Sequence, residues 1–328
     1  MHQPAMRVLV TGGAGFLGSH VVRSYVEDGA SVRVIGRRGS VPQGISDLPG
    51  HLEIVELDIR DLRPDTSEAF AGQDLVIHAA AQIRAGNLDE RVLQRKVNVD
   101  GTRNIIDACR QHGVPQLLYV STCAAIGISG DPKIPADEQF AFNLDDLDLG
   151  YNLTKRAAEQ LVLAANGGLL KTIVVNPGYI FGWDGERYRG RDVIERVFRG
   201  PVAICTDGGL SIVHIDDVVA GIRQAAVKGR PGQRYILSGE NVSFRKIAMS
   251  ACKISKRLRL VVSIPVPAME FGQRLLRKVP VGPARGLSSR LEFLLRYSHQ
   301  YYDSGRARLE LGYETRPFVQ IVADALRD

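Results

Sequence analysis

The sequence is poor in cysteine, in aromatic residues and in long apolar runs. Its 328 residues include four cysteines, and aromatic residues make up 6% of the chain. No two cysteines have C-x-x-C spacing, which argues against a disulfide framework and a structural zinc site; they are Cys109, Cys123, Cys205 and Cys252. No apolar run reaches the roughly 18 residues that a membrane-spanning helix needs. We therefore expect no metal and no membrane span.

Strong charge and targeting signals are also lacking. The 42 Lys and Arg exceed the 36 Asp and Glu by six, a balance too dilute to predict nucleic-acid binding. Two basic stretches, Arg274–Lys278 and Arg285–Arg296, are interleaved with apolar residues. We interpret them as solvated helix faces, with contact to an anionic substrate or a membrane surface as the alternative. No charged-then-apolar leader is seen at Met1–Arg7, which favours a cytoplasmic location.

The sequence does contain an alternation of short apolar runs and helical patterns, which is typical of βαβ units and a parallel sheet. The predicted strands are Arg7–Val10, Val32–Ile35, Leu52–Glu56, Leu75–His78, Leu117–Val120 and Thr172–Val175. The predicted helices are Phe16–Asp28, Leu88–His112 and Leu147–Ala165. The fold class is therefore α/β: a Rossmann-type doubly wound parallel sheet over 1–177. A smaller C-terminal substrate-binding lobe over 178–328 is expected to interleave with this core.

A glycine-rich loop follows the first predicted strand directly. The run Thr11–Gly18 satisfies both T-G-x-x-G-x-x-G and G-x-G-x-x-G and leads into a helix. Glycines permit a tight turn and close approach of backbone N–H groups to a pyrophosphate, which the helix N-terminus also attracts. A glycine pattern alone is weak, but its place between a strand and a helix predicts a dinucleotide site.

The second predicted strand indicates which dinucleotide is preferred. NAD-binding versions of this loop carry an acidic residue about 20 positions on, which binds the ribose 2′-hydroxyl. This chain has Arg37 and Arg38 there instead. Arginine is a natural partner of a 2′-phosphate, so we expect NADP to be preferred, with NAD as the alternative. The competing interpretation is that both arginines are solvated charges.

Tyr151 and Lys155 form the only Y-x-x-x-K pattern in the sequence. Residues four apart share one face of a helix. A nearby ammonium favours the phenolate, so Tyr151 is expected to exchange a proton near neutral pH. The strand end that carries Thr122 precedes this pair at a spacing that lets all three side chains meet over one nicotinamide. A surface Tyr/Lys pair is the alternative.

With these motifs the sequence resembles the extended short-chain dehydrogenase/reductases, also called the NAD-dependent epimerase/dehydratase family. The likeness includes its dihydroflavonol-reductase-like, hopanoid-associated epimerase-like and 3β-hydroxysteroid-dehydrogenase-like branch. It covers almost the whole chain except about 247–299. The matching segments are Thr11–Gly18, Leu57–Asp61, His78–Ala81, Val97–Thr102, Ser121–Thr122, Tyr151 with Lys155, Asn176–Gly178, Val213–Asp217, Gly232–Asn241 and Tyr302–Tyr313.

The resemblance implies a role for each matching residue. Lys155 would bind the nicotinamide ribose and lower the pKa of Tyr151, Thr122 would hydrogen-bond the reacting oxygen, and Asn98 would support Lys155 through water. The dinucleotide would contact Gly12, Gly15, Phe16, Leu17, Gly18, Arg37, Asp58, Ile59, Ala79, Ala80, Tyr151, Lys155 and Pro177. We expect Asp217 to be the N-cap of a helix over Val218–Lys228, and His214 to be a structural residue at a strand end.

The residues after Thr122 narrow the reaction. Family members that dehydrate or decarboxylate carry acidic residues there, whereas this chain has Cys123 and Ala124, which we expect to contact substrate. Nucleotide-sugar members usually carry an Asn where this chain has Tyr179, and a phenol offers an apolar face. With Phe181 and Trp183, Tyr179 is expected to form a pocket wall for a lipophilic group, with packing in the core as the alternative. The nearby Arg187, Arg189 and Arg191 could instead bind a diphosphate from a different direction.

The predicted function is an NAD(P)-dependent ketone reductase or alcohol dehydrogenase of a small, lipophilic molecule. Two alternatives stay open: a nucleotide-sugar epimerase that holds its NAD tightly, and a cofactor-sensing protein without catalysis. A homodimer is expected.

Overall fold

Strands from both halves of the chain build one parallel sheet. They are β1 (Arg7–Thr11), β2 (Ser31–Gly36), β3 (Leu52–Glu56), β4 (Leu75–His78), β5 (Gln116–Val120), β6 (Lys171–Pro177) and β11 (Arg234–Leu237). Their order is β3-β2-β1-β4-β5-β6-β11, and every neighbouring pair is parallel. All six predicted strands are present, and the doubly wound α/β fold is confirmed.

This structure, a computed structural model, describes residues 5–37, 39, 45, 48, 51–63, 66–83, 87–145, 150–198, 200, 202–265, 268 and 299–327. Four sequence predictions fall outside these residues: the role of Arg38, the helix start at Leu147, and the solvated faces at Arg274–Lys278 and Arg285–Arg296.

Helices cover both faces of the main sheet. They are α1 (Phe16–Glu27), α2 (Leu88–Arg95), α3 (Gly101–Gln111), α4 (Gly150–Ala164) and α6 (Ile215–Lys228). Apolar residues of α1 and α6 pack on one face, and those of α3 and α4 pack on the other. Gly29 and Gly113 follow α1 and α3 with φ of +79° and +65°, the left-handed conformation that commonly ends a helix.

The second half of the chain adds two smaller sheets. One contains β7 (Tyr179–Trp183), β8 (Tyr188–Arg189), β10 (Gly209–His214), β12 (Glu240–Ser243) and β14 (His299–Gln300). The other pairs β9 (Val202–Thr206) with β13 (Leu260–Ile264). The helices here are α5 (Arg191–Glu195), α7 (Phe244–Ile254), α8 (Gly305–Leu311) and α9 (Phe318–Arg327). Strand β11 nevertheless pairs with β6 of the main sheet.

The helix predicted over Leu88–His112 is interrupted. A π-helical turn, Lys96–Asp100, separates α2 from α3. Such turns occur where the regular ladder of hydrogen bonds is widened, often at functional sites. The buried Asn98 lies in this turn, where its side chain bonds residues outside the helix.

The predicted N-cap of α6 is wrong. The helix begins at Ile215, and the His214 side chain caps it by accepting a hydrogen bond from Asp216 N–H at 3.2 Å. Asp217 lies inside the first turn, where its carboxylate accepts hydrogen bonds from the backbone and the guanidinium of Arg316, each at 3.0 Å. The ion pair with Arg316 therefore takes the carboxylate that the sequence assigned to capping.

Candidate active site

A cleft lies at the carboxyl ends of the parallel strands, the edge where dinucleotides bind in such sheets. Its volume is about 500 Å³. The structure places these predicted residues along its wall: Gly12, Gly15, Phe16, Leu17, Gly18, Arg37, Asp58, Ile59, Ala79, Ala80, Thr122, Tyr151, Lys155 and Pro177. The predicted residues Asn98, Cys123, Ala124 and Tyr179 are not part of the wall.

The loop between β1 and α1 needs glycine for two different reasons. Gly12 has φ of +72° and approaches the chain just after β4 so closely that a Cβ would lie 2.6 Å from Ala80 N. A Cβ at Gly18 would overlap the carbonyl oxygen of Gly12. At Gly15 a Cβ would meet only that same oxygen, at 3.2 Å. Gly12 and Gly18 therefore keep the turn closed, whereas Gly15 leaves room on the solvent side.

The N-terminus of α1 is suited to an anion. Its N-cap is Gly15, which has no side chain to bond the first N–H groups, and its first turn contains no acidic residue. The unbonded N–H groups and the helix dipole together attract negative charge. The glycine loop and α1 thus offer a cradle for a pyrophosphate.

A buried chain of hydrogen bonds ties β1 to β4 below the loop. The Thr102 hydroxyl donates to Asn98 O at 2.7 Å and lies 3.0 Å from Nε2 of His78. Nε2 must therefore donate to Thr102, which leaves Nδ1 to accept from the Thr11 hydroxyl at 2.6 Å. Burial, and to a smaller extent the charge of Lys155, lowers the pKa of His78 to about 3. His78 is therefore a neutral structural residue that links β1 to the helix α3, a role that its motif did not predict.

Charged residues gather where β2 and β3 end in the cleft. The Asp58 carboxylate accepts hydrogen bonds from the backbone N–H and the Nε of Arg60, each at 2.9 Å. These bonds lower the pKa of Asp58, and the charge of Arg37 acts in the same direction. The end of the cleft predicted to take the adenosine thus contains two guanidinium groups and one carboxylate.

Tyr151 and Lys155 both face the cleft from α4, and Thr122 faces it from the end of β5. The Lys155 side chain is 2% exposed, and its Nζ donates to Val120 O at 2.6 Å. Nζ also lies 4.2 Å from the centre of the Tyr119 ring. Burial lowers the pKa of Lys155 to about 7, while the charge of Glu159 raises it.

The expected low pKa of Tyr151 is wrong for this structure. Burial raises the pKa of Tyr151 to about 12. The reason is that desolvation penalises the phenolate, and the Lys155 ammonium is turned toward the end of β5. At neutral pH Tyr151 is therefore a phenol.

Asn98 contacts the neighbour of Lys155 rather than Lys155 itself. Its Nδ2 donates to Thr154 Oγ1 at 3.0 Å, and its Oδ1 accepts from Gln82 N–H at 2.8 Å. The π-helical turn thereby fixes the start of α4 against the loop after β4. A water-mediated link from Asn98 to Lys155 stays a prediction.

The three predicted substrate residues beyond Thr122 and Tyr151 have different positions. Cys123 is buried, and its Sγ donates to Asn176 O at 3.1 Å, so its thiol points into the protein. Ala124 donates its N–H to Thr122 Oγ1 at 3.3 Å. Tyr179 is 40% exposed and points to the side of β7 opposite that of Ile180, which does line the cleft.

The proposed aromatic wall is smaller than the sequence suggested. Phe181 is fully buried in the core of the second sheet with Phe318 and Ile321, so it cannot contact a ligand in the cleft. Tyr179 packs against it with ring centres 5.5 Å apart, and Trp183 is 44% exposed. Only Tyr179 and Trp183 of the three remain available to a lipophilic group.

A polar cluster under Thr122, centred on the buried Glu159, was not predicted from the sequence. The available signal was spacing, because Glu159 follows Lys155 by four residues and so lies on the same helix face. Within the described ranges, no group of three His, Cys, Asp or Glu residues could hold a metal ion. Among the helices described here, none is long and apolar enough to cross a membrane.

Comparison with known proteins places this architecture in a family. The chain is 30% identical over 326 residues to a putative dihydroflavonol 4-reductase of Synechocystis sp., covering 97% of this chain and 92% of that protein. It is 32% identical over 333 residues to the 4-hydroxy-2-methyl-3-oxo-4-farnesyl-3,4-dihydroquinoline-1-oxide ketoreductase of Stigmatella aurantiaca, covering 98% and 96%.

A solved structure and a family model agree with these relatives. The crystal structure of gox2253 superposes with a TM-score of 0.82 at 31% identity, covering 98% of this chain and 96% of that one. Residues 9–215 match the model of the 3-beta hydroxysteroid dehydrogenase/isomerase family. The resemblance seen in the sequence is confirmed: the chain belongs to this family of NAD-dependent oxidoreductases of the extended short-chain dehydrogenase/reductase type.

Proposed function

We propose that this protein is an NAD(P)-dependent ketone reductase or alcohol dehydrogenase for a small, lipophilic substrate, with Tyr151 as general acid and base. One observation carries the proposal: Thr122, Tyr151 and Lys155 line the same cleft as the glycine loop. A proton donor, a cation and a hydroxyl are thereby collected beside a dinucleotide cradle. This is the set of groups that hydride transfer to a carbonyl needs.

The residues of the cleft fit a dinucleotide. A Cβ at Gly12 or Gly18 would clash with the backbone of the turn or of the chain after β4, and the first turn of α1 has no carboxylate to repel a pyrophosphate. Asp58 and Ile59 would hold the adenosine, Ala79 and Ala80 would line the groove, and Lys155 and Pro177 would lie at the nicotinamide. When bound, the dinucleotide supplies a hydride to a carbonyl carbon or takes one from an alcohol carbon.

Thr122 and Tyr151 would hydrogen-bond and protonate the reacting oxygen of the substrate. Thr122 Oγ1 accepts from Ala124 N–H, which leaves its proton to donate to that oxygen. Tyr151, a phenol because burial raises its pKa to about 12, gives its proton to the same oxygen as the alkoxide develops. Lys155, whose Nζ donates to Val120 O, would hold the nicotinamide ribose and so orient the cofactor.

NADP is the proposed cofactor of choice. Arg37 lines the cleft at the end of β2, where a guanidinium can pair with a 2′-phosphate. Arg60 is engaged with Asp58 at the same end, so Asp58 is already neutralised by a cation. NAD remains the alternative cofactor.

The substrate is proposed to lack a nucleoside diphosphate. Three arginines in and beside β8 that could bind one are paired with carboxylates: Arg189 and Arg187 with Asp184, and Arg191 with Glu195 at 2.9 Å. Tyr179 and Trp183 instead offer exposed aromatic surface. The Stigmatella relative is named as the ketoreductase of a farnesyl-bearing molecule, which supports a lipophilic substrate here.

A substrate panel tests the proposal. NADPH and NADH oxidation, followed by absorbance, would be measured with aryl ketones, isoprenoid ketones and 3-oxoacyl esters, and we expect turnover of at least one class. Calorimetry with UDP, GDP and dTDP on the cofactor-loaded protein is expected to show no micromolar binding. Such binding, together with release of stoichiometric oxidised NAD on denaturation, would favour a nucleotide-sugar epimerase. The expected homodimer would be checked by light scattering.

A further inference from the structure

A buried carboxylate collects donors from three neighbouring strands. Glu159 is 2% exposed. Its Oε2 accepts from the Ser121 hydroxyl at 2.6 Å and from Asn176 Nδ2 at 2.7 Å, and its Oε1 accepts from the Arg234 guanidinium at 2.9 Å. Ser121 follows β5, Asn176 lies in β6 and Arg234 begins β11. One side chain of α4 therefore ties together β5, β6 and β11, three adjacent strands of the main sheet.

The same donors hold the backbone around Thr122. Asn176 Nδ2, which bonds Glu159, also donates to Thr122 O at 3.0 Å. On the other side of Thr122, the Cys123 thiol donates to Asn176 O at 3.1 Å. Thr122 is thus held through Ser121 before it, through its own carbonyl, and through Cys123 after it.

The face of α4 that carries this carboxylate also carries the proposed catalytic pair. Tyr151, Lys155 and Glu159 follow one another at intervals of four residues, so they lie on one face of the helix. Lys155 Nζ bonds Val120 O at 2.6 Å, one residue before Ser121. Glu159 therefore joins the helix of the proton donor to the strand end of the Thr122 hydroxyl.

Charge is the second contribution of Glu159. The groups that face Lys155 are His78 and Tyr119 from neighbouring strands, and Tyr151 and Glu159 from its own helix. Burial keeps His78 neutral and raises the pKa of both tyrosines. Among these four groups, only the Glu159 carboxylate opposes the loss of the Lys155 proton.

We propose that Glu159 is a positioning residue for the reaction: its carboxylate sets the distance between the Thr122 hydroxyl and the Tyr151 phenol, and its negative charge keeps Lys155 an ammonium. The inference rests on the proposed function, because it assigns Glu159 a task in the Thr122, Tyr151 and Lys155 site. A purely structural ion pair is the competing explanation, since breaking a buried pair is itself destabilising.

The test compares Glu159→Gln with a matched control, Glu310→Gln. Glu310 also pairs with an arginine and a hydroxyl, those of Arg230 and Tyr235, but it lies on α8, and neither it nor its partners line the cleft. Both variants lose an ion pair that joins β11 or its flanking loop to a helix. Three readouts are measured for each: the unfolding temperature, the dissociation constant of NADPH by its fluorescence, and the pH profile of kcat/KM with the fastest ketone of the panel.

We expect Glu159→Gln to lower kcat about 10- to 100-fold through misplacement of the reacting groups. Without the nearby negative charge, Lys155 loses its proton more readily, so the high-pH limb of the profile should move about one unit lower. NADPH binding should weaken along the same pH limb. Glu310→Gln should lower the unfolding temperature and leave rate and profile unchanged.

The inference would be overturned if a folded Glu159→Gln variant kept the wild-type kcat and the wild-type pH profile of kcat/KM. It would also be overturned if the only effect of Glu159→Gln were a lower unfolding temperature, as expected for Glu310→Gln. If Glu159→Gln does not fold, Ser121→Ala removes a single hydrogen bond, and we expect about a three-fold lower kcat; wild-type kcat in that variant would overturn the positioning role. Tyr151→Phe separates the two proposals. If it stays active, the proposed function fails; if it is inactive while Glu159→Gln behaves as wild type, only this inference fails.

Discussion

The ammonium of Lys155 donates to the carbonyl oxygen of Val120 at 2.6 Å, inside the protein and under the Tyr119 ring. A lysine expected to serve a cofactor is thus bound to the end of a core strand. Its burial costs folding free energy whenever it carries a proton, and this cost can be measured.

Lys155→Met is expected to stabilise the folded protein and to weaken its cofactor binding and turnover. The pKa of Lys155 is about 7 in the folded protein against ~10.4 in an unfolded chain, so the unfolded chain binds the proton more tightly. The stability contributed by the neutral amine is complete above about pH 10.4 and is lost as the pH falls toward 7. At pH 7 the methionine variant should therefore be more stable by on the order of 1 kcal/mol.

Calorimetric unfolding between pH 7 and pH 10 checks this, with the exposed Lys171→Met as control. The wild type should lose stability on going from pH 10 to pH 7, and Lys155→Met should lose less. NADPH binding and turnover should both weaken in Lys155→Met alone. Parallel stability curves for the wild type and this variant would contradict the buried-ammonium argument.

Tyr151→Phe should abolish turnover and preserve cofactor binding. The phenol is the proposed proton donor, and proton transfer by a positioned side chain contributes about 10² to 10⁴ in rate. The ring stays in place, so the groove is unchanged. Steady-state kinetics and an NADPH fluorescence titration measure the two effects, and near-normal turnover would show that another group moves the proton.

Arg37→Ala should reduce the preference for NADPH over NADH. A guanidinium at the end of β2 can bond a 2′-phosphate, and hydrogen bonds between charged groups are worth about 1.5–3 kcal/mol, or roughly 10- to 100-fold in affinity. NADH affinity should change little. Titration of both cofactors against wild type and variant decides the matter, because an unchanged ratio would make Arg37 a surface charge without a role in selection.

Gly18→Ala and Gly15→Ala should fail in different ways. A Cβ at Gly18 collides with the Gly12 carbonyl inside the turn, so this variant should lose stability, by about 1–3 kcal/mol, as well as cofactor binding. At Gly15 the added methyl group meets the protein at one atom, 3.2 Å away, and should mainly block the cofactor. Thermal unfolding with NADPH titration checks both; equal destabilisation by the two variants would contradict the assignment.

Lowering the pH should destabilise the folded protein because His78 becomes protonated on unfolding. Its pKa is about 3 in the folded state against ~6.5 when unfolded, so the stability it contributes is complete above about pH 6.5 and is lost as the pH falls toward 3. His78→Gln cannot titrate. At pH 8 this substitution should lower the free energy of unfolding by about 1–3 kcal/mol because hydrogen bonds are disrupted. Between pH 6.5 and pH 4.5, however, the free energy of unfolding should decrease less steeply in the variant than in the wild type. If the free energy of unfolding changed with pH in parallel for the wild type and His78→Gln, His78 would not be a buried neutral residue.

The main sheet and the cleft could be predicted from the sequence because they depend on local sequence patterns. Alternating apolar runs locate the strands, and parallel topology then brings Gly12, Thr122 and Lys155 to one edge. Interactions between distant residues were beyond its reach. Asp217 appeared to be an N-cap because nothing nearby revealed Arg316, and the pKa of Tyr151 was misjudged because neither burial nor the direction of Lys155 can be read from spacing.

The aromatic wall failed for a related reason. Tyr179, Phe181 and Trp183 alternate along β7, so they share one side of the strand, and the sequence could not tell which part of that side would be covered. Phe318, far along the chain, covers Phe181. The role of Tyr179 at the substrate therefore stays a prediction.

Strand β11 has a consequence for how the chain is made. It occupies the outer position of the main sheet next to β6, yet it is synthesised only after the whole 178–233 stretch. Until then a nascent chain exposes the apolar edge of β6, and such edges recruit other chains. Residues 1–177 alone should accordingly be prone to aggregation during translation, because their sheet lacks its outer strand until residues 234–237 have been synthesised.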